Sequence, residues 1–185
     1  IRIWYDLGRY FRSAGNRREA EAGFRQALDI SQDRFGINHP LNGPSQQALA
    51  EILIEKNELD EAARLLTASR VHFQVQWGSD DPKIGAIAMQ QSKVALLRDN
   101  AQDGVAFATE AQNIFSVSKQ IASYIDATCL LAQAQSLQER DSPIARKTTE
   151  ECVSLATKYP SPNTQRHFVE MANIAMDGND ATKAD

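Results

Sequence analysis

Aromatic side chains make up only 7% of the 185 residues, and cysteine occurs only twice. So few large flat side chains suit a sheet sandwich poorly, whereas abundant alanine suits closely packed helices. No run approaches the roughly 18 apolar residues that span a bilayer, so membrane insertion is not expected. A basic excess is missing too: the net charge is −4, which argues against non-specific nucleic-acid binding. His39, His72 and His167 are scattered, and no Cys/His ligand cluster forms, so neither a metal nor another cofactor is expected. Cys129 and Cys152 read as reduced core residues in apolar helical surroundings. A disulfide between them cannot be inferred from sequence.

Catalytic motifs are equally scarce. There is no nucleotide-binding Gly-rich loop, no Gly-x-Ser-x-Gly and no His-Glu-x-x-His. Glu150 and Glu151 are neighbours on an expected helix, where side chains diverge by about 100°, and read as a solvated edge. Asp80-Asp81 precedes Pro82 and reads as a helix cap. An enzyme is therefore not expected. Nor is a strand: Val71 to Trp77 alternates briefly, but within a stretch whose apolar spacing is helical.

What the chain does have is a repeat. Phe35-Gly36-Ile37-Asn38-His39-Pro40 returns forty-two residues later as Trp77-Gly78-Ser79-Asp80-Asp81-Pro82. A fixed period of this length marks stacked supersecondary units. Upstream, Trp4-x2-Leu7-Gly8-x2-Phe11 is followed by Ala20-x3-Phe24-x2-Ala27. Trp4, Leu7 and Phe11 form an i, i+3, i+7 stripe expected to be buried against Ala20, Phe24 and Ala27, with Gly8 permitting close approach. Asn16 followed by Glu19, after the Gly15 turn, is a helix-start signature.

These residues resemble the tetratricopeptide repeat, with Phe11 where that pattern usually has Tyr. The turn from Gly36 to Pro40 resembles the long-linker, forty-two-residue subtype found in kinesin light chain. The resemblance implies an all-α fold, a right-handed α–α superhelix of about four helical hairpins plus a C-terminal helix. Its repeats would span about 1–42, 43–84, 85–125 and 126–160, with an extra helix at 162–176, in one domain of residues 1–176. A polar tail, 177–185, follows.

Stepping by the period places Leu49, Ala50, Leu53, Ala62, Leu66, Ser69 and His72 in the second core layer. Gln46 stands where Trp4 stood, which suggests a frayed or exposed start to that helix; Pro44 suits a first turn. The third layer is Ala88, Gln91, Ser92 and Ala95 with Gly104, Ala108, Ala111 and Ile114. A period one residue shorter gives Cys129, Ala132, Ala145, Cys152 and Leu155. Nine helices are predicted: 1–14, 17–34, 44–57, 59–76, 82–98, 102–118, 120–139, 143–158 and 162–176. Ser142-Pro143 and Ser161-Pro162 both read as helix starts.

In such stacks the first helix of each pair lines an inner, concave wall. The expected wall is Arg2, Tyr5, Arg9 and Arg12, then Gln47, Glu51, Ile54 and Glu55. Met89, Lys93 and Leu96 come next, then Leu130, Ala134 and Leu137. Arginine and tyrosine are favoured anchors for peptides, and the arginines could fork onto an acidic segment. The plainer reading is a solvated edge whose arginines pair Asp6 and nearby acids. The Lys/Asn clamp of carboxylate-capturing tetratricopeptide domains is absent, since Arg9, Glu51 and Lys93 hold the equivalent places. The function implied is a non-catalytic module that binds a peptide or partner protein in this groove. A chain that starts at Ile1 without Met also suggests a regulatory segment of a larger signalling protein. Homo-oligomeric self-assembly through open ends is a third reading.

Overall fold

The computed structural model describes residues 1–139 and 142–160. The helix expected at 162–176 and the polar tail lie outside them. The described residues form eight helices and no strand. They are α1 (Arg2–Ser13), α2 (Arg17–Phe35), α3 (Asn42–Glu55), α4 (Leu59–Trp77), α5 (Pro82–Leu97), α6 (Ala101–Val117), α7 (Ile121–Gln138) and α8 (Pro143–Lys158). All match expected helices to within two residues at each end, an all-α helical repeat. The chain divides into two compact units, Ile1–Gln90 and the part from Gln91 onward, and the division falls inside α5.

The period is written in the backbone. Gly15, Asn57 and Asp99, forty-two residues apart, all take positive φ (75°, 62° and 57°) in the turns after α1, α3 and α5. That left-handed residue closes each hairpin turn in three residues, and glycine or asparagine adopts it most cheaply. The longer links repeat as well: Gly36 and Gly78 end α2 and α4 with the same φ of 87°. The following link differs, being a short turn with Lys119 at φ 57°.

In the first unit, α1 and α2 meet through glycine. A Cβ on Gly23 would lie 2.9 Å from Gly8 Cα, and one on Gly8 would lie 2.7 Å from the Phe24 ring. Ala20, Phe24 and Ala27 are fully buried, as are Ala50, Leu53, Ala62, Leu66 and Ser69 one period on. Sealing each large side chain contributes about 1.5–3 kcal/mol. The stripe on α1 departs from expectation: only Gly8 is buried, Leu7 and Phe11 are half-buried, and Trp4 is 41% exposed. Backbone-to-backbone contact at the glycines leaves no gap for an indole, so the large side chains flank the crossing. Leu49 and Leu53 escape this because α3 packs on both α2 and α4.

The start of α3 is a second correction. The helix begins at Asn42 rather than Pro44, and Gln46 is only 4% exposed rather than frayed. The cause is Asn42, whose buried amide donates to the Gly36 and Ile37 carbonyls at 2.9 and 3.0 Å. This ties the link to the first turn and draws that turn into the core. His39 stacks on Phe35 at 4.7 Å and accepts the Leu41 N–H, a structural part of the same link. Asp81 caps α5 by accepting the Lys83 N–H at 2.9 Å, as expected. Asn16 and Ser142 hold the N-cap positions of α2 and α8 but make no side-chain cap hydrogen bond.

In the second unit Asn100 caps α6, accepting from Asp103 N and donating to its carboxylate at 2.7 Å. Ser92 donates to the Gly104 carbonyl at 2.8 Å across α5 and α6. The third correction lies between α7 and α8. Cys129 and Cys152 are joined by a disulfide rather than held as reduced thiols. The packing that buried both cysteines with Ile125, Ala132 and Ala156 brought their Cα atoms to 4.9 Å, within bonding reach.

Candidate functional site

A cleft of about 380 Å³ opens in the first unit, lined by Tyr5, Arg9, Arg12 and Ser13 of α1 and Pro44, Gln47, Ala48 and Glu51 of α3. The lining follows from helical spacing, since residues three and four apart share a face. Tyr5 is half-buried, its ring packed at 5.7 Å against the buried Phe24. Pro44 and Ala48 give the opposite wall a small apolar floor.

The charges in the cleft are unequal in availability. Arg12 pairs with Glu51 across the two helices. Glu51 also accepts the side-chain amide of Gln90 on α5, so its carboxylate is held from two directions. Arg9 is exposed and has no ion-pair partner among the described residues. Two guanidinium groups against one carboxylate leave the cleft with one uncompensated positive charge, and that charge is Arg9.

Five of the fourteen expected wall residues, Tyr5, Arg9, Arg12, Gln47 and Glu51, therefore share one cleft. The others do not join them. Arg2 is 94% exposed and pairs with Asp6 at 3.6 Å. Glu55 pairs with Arg17 at 2.6 Å, outside the lining. Met89 is half-buried on α5, and Lys93, half-buried, belongs to the second unit. Leu130 and Ala134, expected on the wall, are fully buried, because α7 packs against both α6 and α8; Leu137 is exposed.

Gln90 was not anticipated. The signal was present, since Gln90 lies one period beyond Ala48, which lines the cleft. Among the described residues no group of His, Cys, Asp and Glu could hold a metal ion, and no helix is long and apolar enough to cross a membrane.

Helical hairpins recurring at a fixed spacing define the class: an all-α helical repeat with a polar cleft on its first helices. Residues 1–70 match the family described as tetratricopeptide repeat. No curated protein matches the chain significantly. Among solved structures, the chain is similar to a Podosopora anserina protein described as a candidate kinesin light chain with nearly identical tetratricopeptide-like repeats. The match has a TM-score of 0.74 at 19% identity and covers 99% of this chain and 89% of that one. A point variant of the same protein gives 0.75 at 19% identity, covering 99% and 88%. Tetratricopeptide repeats generally mediate protein–protein interactions.

Proposed function

We propose that the chain is a non-catalytic interaction module. In this reading the cleft between α1 and α3 receives an extended segment of a partner protein, with an acidic side chain of that segment on Arg9. The observation that carries this is the convergence of Tyr5, Arg9, Gln47 and Glu51 on one cleft in which Arg9 is the unpaired charge. Arginine and tyrosine sharing one cleft are the kind of anchors that dominate peptide affinity. Gln47 supplies an amide that can both donate to and accept from a peptide backbone.

Titrating fluorescein-labelled acidic peptides against the wild type and the Arg9→Glu/Arg12→Glu variant tests the reading. The variant should lose binding by about tenfold or more, the scale of a desolvated charge contact. Unchanged binding of every peptide would remove the basic wall from the account.

A further inference from the structure

The cleft holds two arginines, yet only one is open to a ligand. Arg9 and Arg12 stand three residues apart on α1, so their side chains leave the helix roughly 5–6 Å from one another. Acidic residues two apart in an extended segment are spaced about 6.8 Å, a fair match to both guanidinium groups at once. The chain fills one of those positions itself. Glu51 crosses from α3 onto Arg12, and Gln90 reaches over from α5 to hold the same carboxylate.

Two features mark Glu51 as fixed rather than incidental. It is the more buried member of the pair, 30% exposed in its side chain against 47% for Arg12. Gln90 commits its NH₂ to Glu51 while its own carbonyl oxygen is buried without a partner, so its orientation serves Glu51 and little else.

We infer that Glu51, positioned by Gln90, occupies the Arg12 fork as a built-in ligand, and that the cleft therefore selects a segment carrying a single acidic side chain over one carrying a closely spaced pair. The assignment rests on the cleft reading given above. A second carboxylate would find Arg12 already neutralised and Glu51 beside it, so it would gain no attraction and meet like-charge repulsion. Glu51 is thus a specificity-determining residue and Gln90 its positioning residue.

The test uses two fluorescein-labelled extended peptides identical except at one position, where Gln in the single-acid peptide becomes Glu two residues from the first acid. Wild type should bind the single-acid peptide at least as well as the two-acid one. Glu51→Gln should open Arg12 and shift the preference about fivefold toward the two-acid peptide, the effect of about one exposed charge pair. Gln90→Ala should move the ratio in the same direction by less.

Because Glu51→Gln leaves Arg12 without its partner, the neutral pair Arg12→Gln/Glu51→Gln provides a second arm. With no guanidinium freed, it should show less than half of the Glu51→Gln shift in preference. A shift as large as that of Glu51→Gln would show that Arg12 does not receive the second acid and would overturn the assignment. So would a Glu51→Gln variant with an unchanged preference. If wild type binds the single-acid peptide but the ratio never moves, the cleft reading stands and this assignment fails. If wild type binds neither peptide, the cleft reading fails and takes this assignment with it.

Discussion

Gly8 and Gly23 face each other at the crossing of α1 and α2, with no side chain between their backbones. Replacing Gly23 by alanine sets two effects against each other. Helix propensity gains about 1 kcal/mol. The new methyl would stand 2.9 Å from the Gly8 Cα and amide nitrogen, and backbone in a packed helix yields only at a cost of about 1–3 kcal/mol. The clash should win. Gly23→Ala is expected to lower unfolding free energy by about 1 kcal/mol in urea titrations. Gly43→Ala, whose nearest neighbour is His72 Cβ at 3.3 Å, should be close to neutral.

The Cys129–Cys152 bond closes a loop with a sequence separation of 23 residues. Chain-entropy arguments put its stabilisation at about 3 kcal/mol, exerted mainly on the unfolded ensemble. Protein purified without reductant and then denatured should titrate no free thiol. Cys152→Ala, or prior reduction, should lower the melting temperature of the second unit by several degrees. Two titratable thiols in the untreated protein would contradict the bond.

His72 lies in the core of the first unit, and burial, aided by the charge of His39, lowers its pKa below 6.5, against a hydrogen bond to the Ile37 backbone. The unfolded chain therefore binds the proton more readily than the folded one below that pH. Stability fully present above about 6.5 should be lost progressively as pH falls below that value. Urea unfolding between about pH 7.5 and 5.5 should show this slope in wild type and a flatter one in His72→Gln. Equal slopes would assign the pH response elsewhere.

Arg25 links α2 to α4, donating to Glu61 at 2.7 and 3.2 Å and to Glu21 at 2.9 Å, while Lys56 closes the set on Glu21. Arg25 holds the Glu61 carboxyl below its ordinary value of 4.5 through these hydrogen bonds, against the opposing effect of burial. The stabilisation is thus complete above the ordinary carboxylate range and fades as pH drops below about 4.5. Arg25 is 39% exposed, so solvent screening limits the loss in Arg25→Met to about 0.5–1 kcal/mol. Raising salt should shrink the difference between variant and wild type. A difference indifferent to salt would mean that the alkyl stem, not the charge, carries it.

The helices and their register were legible because each layer reuses the same small and large positions, from Ala20 and Phe24 to Ala62 and Leu66. The turn chemistry was legible at Gly36 and Gly78, where glycine advertises positive φ. It was less so at Asp99 and Lys119, whose types do not. Three features escaped because they depend on what packs against what. Trp4 fits the sequence pattern of a buried stripe, but its burial depends on how closely α1 meets α2. Gln46 looks like a solvent residue until the Asn42 tether pulls the first turn of α3 inward. Two cysteines on separate helices say nothing of pairing until α7 and α8 are set side by side. The cleft was half visible: α1 supplied its arginines by simple spacing, while Gln90 acts through Glu51 from a third helix.

The tether at Asn42 also fixes a rotational phase. Each residue turns a helix by about 100°, so removing one residue between Gly36 and Asn42 would rotate α3 by that angle if the tether were kept. Glu51 would then swing off the cleft and a neighbour would take its place, with the helix itself unharmed. The number of residues in this link is thus as much a determinant of what the cleft presents as the side chains that line it, and drift in its length would change recognition while the fold stayed the same.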